Sequence, residues 1–141
     1  MVTSRVLAQV APRSWLIHWA TNPGGNYNNG ENGYATSPDI DLSYSGGACT
    51  LGWWQWRETE TSYDYISTEV SSDGGSTWNL IYGPYSGSDP NWRQVTAVLA
   101  EGYNTSHFRV RFHFTSDGSV TYRGWYVDDV TVDCPLQAPI F

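Results

Sequence analysis

Two adjacent carboxylates stand in the middle of a segment that otherwise has strand composition, Gly124-Trp125-Tyr126-Val127-Asp128-Asp129-Val130-Thr131-Val132. Side chains alternate along a strand, so Asp128 is expected on one face with Tyr126, Val130 and Val132. Asp129 then falls on the other, with Trp125, Val127 and Thr131. On that alternation one aspartate points into the core, whichever face is buried. A buried carboxylate is costly unless it is hydrogen-bonded, paired or bound to a metal. The pair therefore points to a structural ion or a tight polar network rather than to catalysis. A second acidic pair, Glu58 and Glu60, lies two residues apart and is expected on one face of one strand. Carboxylates about 5–9.5 Å apart serve glycoside hydrolysis, but the Thr- and Ser-rich surroundings read as a solvated strand end. His18, His107 and His113 lack a zinc-ligand spacing, neither cysteine accompanies a nucleophile motif, and no phosphate-cradling glycine loop opens a helix.

Aromatic residues offer a different chemistry. Trp54 and Trp56 share the strand face opposite Leu51 and Trp53, while Arg109, Arg111 and His113 point away from the apolar side of their strand, as do Tyr65 and Glu69 from theirs. Set side by side, these strands would present flat rings with polar groups between them. Ring faces suit the apolar side of a pyranose, and carboxylates or guanidinium groups bond its hydroxyls. Trp54, Trp56, Tyr65, Arg109 and Arg111 are thus the expected ligand-binding set. The competing placement buries Trp54 and Trp56 as a second core beneath the loop at 22–33 or the N-terminal strand. With 8 tryptophans in the chain, several must be core in either case.

These residues need strands to position them, and the pattern supplies strands. Residues 107–114 alternate without a fault, Phe108, Val110, Phe112 and Phe114 inward and His107, Arg109, Arg111 and His113 outward. Further strands are expected at 15–19, 39–43, 48–58, 64–71 (Ile66, Thr68 and Val70 inward), 78–82, 92–99 and 125–132. Ser72-Asp73-Gly74-Gly75 and Ser116-Asp117-Gly118 supply the glycines that tight turns need. The long Asn- and Gly-rich stretch at 22–33 is expected as a loop, either flexible or ordered by an ion or a ligand. No apolar period of 3.6 persists anywhere. The fold class is therefore all-β, a two-sheet antiparallel sandwich of seven to nine strands with jelly-roll topology leading.

Composition narrows the partners. At 141 residues the chain is one domain with a real core. A net charge of −7 disfavours nucleic acid and anionic membranes, and no apolar run reaches transmembrane length. Residues 1–14 carry Arg5 and Arg13 without the apolar stretch of a signal peptide, so the chain is expected to be a domain of a larger secreted precursor. Cys49 and Cys134 either close a long loop as a disulfide, worth roughly 3–5 kcal/mol, or remain two buried free thiols. Asn104-Thr105-Ser106 is a glycosylation sequon, meaningful only in a eukaryotic secretory pathway.

Several segments together resemble one family. Ser37-Pro38-Asp39-Ile40-Asp41-Leu42-Ser43, then Ala48-Cys49-Thr50-Leu51 with Trp53-Trp54, then Glu69-Val70-Ser71-Ser72-Asp73-Gly74-Gly75-Ser76-Thr77-Trp78, then Val110-Arg111-Phe112, and finally Gly124-Trp125-Tyr126-Val127-Asp128-Asp129-Val130 follow the order of motifs in MAM-like jelly-roll domains of bacterial secreted proteins. The resemblance implies a jelly-roll domain over 15–134, with 1–14 an N-terminal extension and 135–141 a tail. Such domains accompany secreted enzymes, including immune inhibitor A-type metallopeptidases, as accessory modules and not as catalysts. The wider class implies a structural Ca2+ near the last strand, with Asp128 the first ligand candidate and Asp129, Asp41, Glu60 and Asp64 following it. Alternatively, Asp128 accepts backbone hydrogen bonds at a strand end and Asp129 is solvated. The expected function is extracellular binding of a glycan, or of a cell surface or partner protein. The alternatives are a purely structural module that stabilises or orients a neighbouring protease domain, and a small glycosidase resting only on Glu58 and Glu60.

Overall fold

The structure is a computed structural model describing residues 18–136. Eight strands lie among them: β1 (His18–Ala20), β2 (Asn32–Thr36), β3 (Thr50–Glu58), β4 (Tyr65–Ser71), β5 (Asn79–Tyr85), β6 (Asp89–Val98), β7 (Arg109–Thr115) and β8 (Gly124–Asp133). They form two antiparallel sheets, sheet A in the order β1-β8-β3-β6 and sheet B in the order β2-β7-β4-β5. Successive strands mostly switch sheets, which is the jelly-roll arrangement. Among the described residues a single 3-10 turn, at Glu101–Tyr103, interrupts the strands, and no helix is long and apolar enough to cross a membrane.

Strands β3 to β8 fall where alternation predicts them. The expected strand at 39–43 reduces to one bridge, Ile40 to Phe108, because the Asp41 carboxylate bends the chain by accepting the Ser43 backbone N–H at 2.9 Å. In its place β2 forms at the end of the predicted loop; only Ala35 of its five residues is buried, so no apolar alternation announces it. Residues 1–14, the expected strand residues 15–17 and tail residues 137–141 lie outside the described part.

The core lies between the sheets. From sheet A, β3 sends in Leu51, Trp53 and Gln55; from sheet B, β7 sends Val110, Phe112 and Phe114, and β4 sends Ile66, Thr68 and Val70. Phe112 meets Trp53 (5.4 Å) and Trp125 (5.5 Å) edge-to-face. Each fully buried Phe contributes roughly 1.5–3 kcal/mol over exposure. The indole nitrogens need a partner in this setting, and Gln55 provides it. Its Oε1 accepts from Trp53 Nε1 (3.0 Å) and Trp125 Nε1 (3.1 Å), and its Nε2 donates to the Tyr82 hydroxyl (2.9 Å).

Strand β8 corrects the expectation that one aspartate enters the core. Its pairing with β3 slips between Gly52 and Trp54: Gly52 faces Thr131 and Trp54 faces Asp128, leaving Asp129 and Val130 opposite one residue. Asp129 absorbs this β-bulge at φ 50°, a conformation that aspartate tolerates better than most residues. The bulge inverts the alternation. Trp125 and Val127 point inward before it, and Val130 and Val132 pack on the core after it. Asp128 stays half-buried on the outer face and Asp129 is exposed. The Asp128 carboxylate accepts the Asp129 N–H at 2.8 Å, a hydrogen bond within the bulge itself.

Cys49 and Cys134 are bridged, with Cα atoms 4.2 Å apart. Beside them the sequon residue Asn104 donates from Nδ2 to the Gly47 carbonyl at 2.8 Å, so its amide clamps the adjacent turn.

Candidate functional site

The outer face of sheet A gathers aromatic side chains. Alternation on β3 turns Trp54 and Trp56 outward, and register places Trp54 beside Gln94 of β6 and Asp128 of β8, and Trp56 beside Tyr126. Trp92 of β6 lies two residues before Gln94, so alternation keeps it on the same outer face. Trp56, Trp92, Tyr126 and Arg123 line an open trough of about 270 Å³. The Trp56 and Tyr126 rings meet edge-to-face at 5.5 Å. Trp54 and Trp92 keep 39% and 49% of their surface exposed, which separates them from the core tryptophans Trp19, Trp53 and Trp125 at 0%. Trp92, Tyr126 and Arg123 were missed from sequence. Tyr126 was legible as the outward neighbour of Trp125, and Trp92 by the same alternation, as the residue two before Gln94 on the side away from Val95 and Ala97.

The expected ligand set divides between two surfaces. Tyr65, Arg109 and Arg111 lie on the outer face of sheet B, across the core from Trp54 and Trp56, and their polar groups are engaged within the chain. Arg111 pairs with Glu69 (3.0 Å) and lies over the Tyr34 and Trp78 rings at 4.2 and 4.1 Å. Arg109 pairs with Asp39 (2.6 Å), which also meets His107 at 2.9 Å and is held below the usual carboxylate range by these two donors. The Tyr65 hydroxyl donates to the Ser62 carbonyl. Burial lowers the His113 pKa, and its Nε2 meets Asn32 Oδ1 at 2.6 Å. This surface is closed on itself, stacked and paired.

The proposed metal ligands are also dispersed. Asp128 and Asp129 sit mid-strand on sheet A, and Asp41 is taken up by Ser43, whose donated hydrogen bonds lower its pKa. Glu60 and Asp64 do come together, and Asp117 of the predicted turn joins them: one oxygen from each lies within 4.8 Å of the others. Asp64 is fully buried; its oxygens accept from the Tyr27 hydroxyl (2.6 Å) and the Asp117 N–H (2.9 Å). Burial, and then the hydrogen bond to Asp64, push the Tyr27 hydroxyl pKa up. Burial, followed by the charges of Asp117 and Asp64, raises the Glu60 pKa, and Glu60 Oε1 is a buried atom without a hydrogen-bond partner. An acceptor-only cluster with an unsatisfied oxygen fits a hard cation. The 22–33 stretch is ordered around it by hydrogen bonds: Tyr27 N–H to the Tyr122 carbonyl, Gly30 N–H to the Asp117 carbonyl, and Glu31 N–H to Ser116 Oγ. Glu58 does not share this setting, because its Oε1 accepts the Arg123 backbone N–H at 3.4 Å. The two glutamates expected on one face are therefore engaged with different partners.

No family model matches the chain. Bacillopeptidase F of Bacillus subtilis (strain 168) is 32% identical over 114 residues, which make up 81% of this chain and 8% of that protein. The chain therefore spans a small part of that relative's length. Similar solved structures include the MASP-1 CUB2 domain bound to Ca2+ (19% identity, TM-score 0.50, covering 81% of this chain and 89% of that one). A structure of carbohydrate-binding modules from the β-sandwich superfamily has TM-score 0.55 at 10% identity, covering 86% of this chain and 54% of that one. The K1 cleaved adhesin domain of Lys-gingipain from Porphyromonas gingivalis W83 has TM-score 0.50 at 17% identity, covering 84% and 73%. At these identities the likeness is one of fold, the two-sheet β-sandwich.

Proposed function

We propose that this domain is a non-catalytic extracellular binding module of the MAM-like jelly-roll kind, taking a glycan on the outer face of sheet A. The observation that carries this reading is the open trough lined by Trp56, Trp92 and Tyr126, with Trp54 beside it. The core is filled by other rings, so these have no packing task that explains their exposure, and a concave aromatic surface with a few polar groups suits sugar faces. The disulfide fits an oxidising, exported setting. Glu60, Asp64 and Asp117 are the proposed ligands of a structural Ca2+, completed by carbonyls and water; such an ion would neutralise the cluster and brace the 22–33 segment. The test is tryptophan fluorescence across a glycan array. A hit should be lost in Trp56→Ala and Trp92→Ala while the melting temperature holds; variants that unfold instead would make these rings core and end the reading.

A second reading is favoured by the likeness to a segment of Bacillopeptidase F: a module that stabilises or orients a neighbouring protease domain. On that reading no glycan shifts the fluorescence, and deleting the domain lowers the thermal stability of the joined peptidase.

A further inference from the structure

We infer that the trough takes an acidic glycan, one whose repeat carries a single carboxylate-bearing sugar among neutral ones, with Arg123 as the anion contact. This rests on the glycan reading of the same face. The chain has seven arginines and no lysine. Among the described residues Arg93, Arg109 and Arg111 are each tied to a carboxylate, and Arg57 leans toward the Tyr85 ring. Arg123 differs. It is exposed, forms no ion pair among the described residues, and holds its guanidinium 5.7 Å from the Trp56 ring centre and 6.0 Å from that of Tyr126.

The nearby carboxylates are turned elsewhere. Glu58 accepts the Arg123 backbone N–H, and Asp128 accepts the Asp129 N–H. The guanidinium fork, which matches a carboxylate in a bidentate manner, is thus left to the trough. The face acquires polarity along the strands, with a cation at the Arg123 end and Asp128 with Gln94, suited to hydroxyls, beside Trp54 at the other. Density of charge decides the ligand class. With a net charge of −7 the chain repels a sulfated or uniformly charged polymer at long range, whereas one cation flanked by rings fits one acid group flanked by neutral sugar faces.

The experiment titrates the full chain with hyaluronan, gellan and glucuronoxylan, each beside its carboxyl-reduced neutral counterpart. The expected result is that at least one acid form binds about tenfold more tightly than its reduced form, as a charge-assisted contact gives. Arg123→Gln should erase that difference at unchanged melting temperature, bringing acid and reduced forms to one common affinity, and Arg123→Lys should retain part of it. If reduced forms bind as well as acid ones, or the preference survives Arg123→Gln, the inference fails while the glycan trough stands. If neither these polymers nor a neutral glycan array bind, the glycan reading falls with it.

Discussion

Asp129 shows how much one backbone angle decides. At φ 50° a β-branched residue is strained, so Asp129→Val should lower stability by roughly 1–2 kcal/mol, whereas Asp129→Gly should be neutral or slightly stabilising in urea unfolding. Gly124, at φ 97°, opens the same strand, and a Cβ there would overlap Thr21 Oγ1. Gly124→Ala should therefore cost about 3 kcal/mol or more. In the β4–β5 hairpin, the Asp73 carboxylate accepts from the Thr77 hydroxyl and N–H and from the Ser71 hydroxyl, which together lower its pKa to about 2. The unfolded chain then binds the proton more readily. The contribution is full above the ordinary value of 3.8 and is lost as pH falls through about 2. Acid titration of unfolding should show this slope in the wild type and a shallower one in Asp73→Asn. Individual side chains were legible where alternation held, as at Phe108, Val110, Phe112 and Phe114. They were misread at Asp128 and Asp129, because a bulge is a property of two strands and leaves no mark in one.

At the scale of elements, β3 carries a register slip on either side, the bulge against β8 and the irregularity against β6. Strands β3, β4, β7 and β8 could be read because each buries a row of apolar side chains, and β5 and β6 from their strand-forming composition between turn residues. Strand β2 could not, since it buries Ala35 alone, and the order of the 22–33 segment comes from hydrogen bonds to residues about ninety positions away. The acid cluster was half legible for the same reason: Glu60 and Asp64 are near in sequence, and Asp117 is brought to them only by topology. On the proposed assignment, added Ca2+ should raise the melting temperature, with a gain approaching about 2.7 kcal/mol when the ion is a hundredfold above its dissociation constant. Asp117→Asn should remove the response, and Asp64→Ala should destabilise even without added ion because Tyr27 loses its partner. A melting curve unmoved by Ca2+ would leave the cluster without a cation.

Among the described residues, tryptophans sort into three tasks: Trp19, Trp53 and Trp125 fill the core, Trp78 stacks against Arg111 on sheet B, and Trp54, Trp56 and Trp92 face outward on sheet A. The two outer faces are opposites in character, one internally paired and the other open. That contrast was beyond the sequence, which cannot say which strands neighbour one another. The disulfide closes the chain at a separation of 85 residues. Cys49→Ser with Cys134→Ser should cost roughly 3–5 kcal/mol in the loop-entropy model, read by urea unfolding in oxidised and reduced protein. The same bond also sets the path of mechanical load. Tension applied to the chain on either side of the bridge runs through residues up to Cys49, crosses the two sulfurs and leaves from Cys134. Strand β1, held to β8 by three residue pairs, lies on that path and would peel away first. Residues 50–133, which carry the trough and the acid cluster, hang off it as a closed loop, loaded through the β1–β8 and β2–β7 pairs and the hydrogen bonds of the 22–33 segment and not through their own covalent chain.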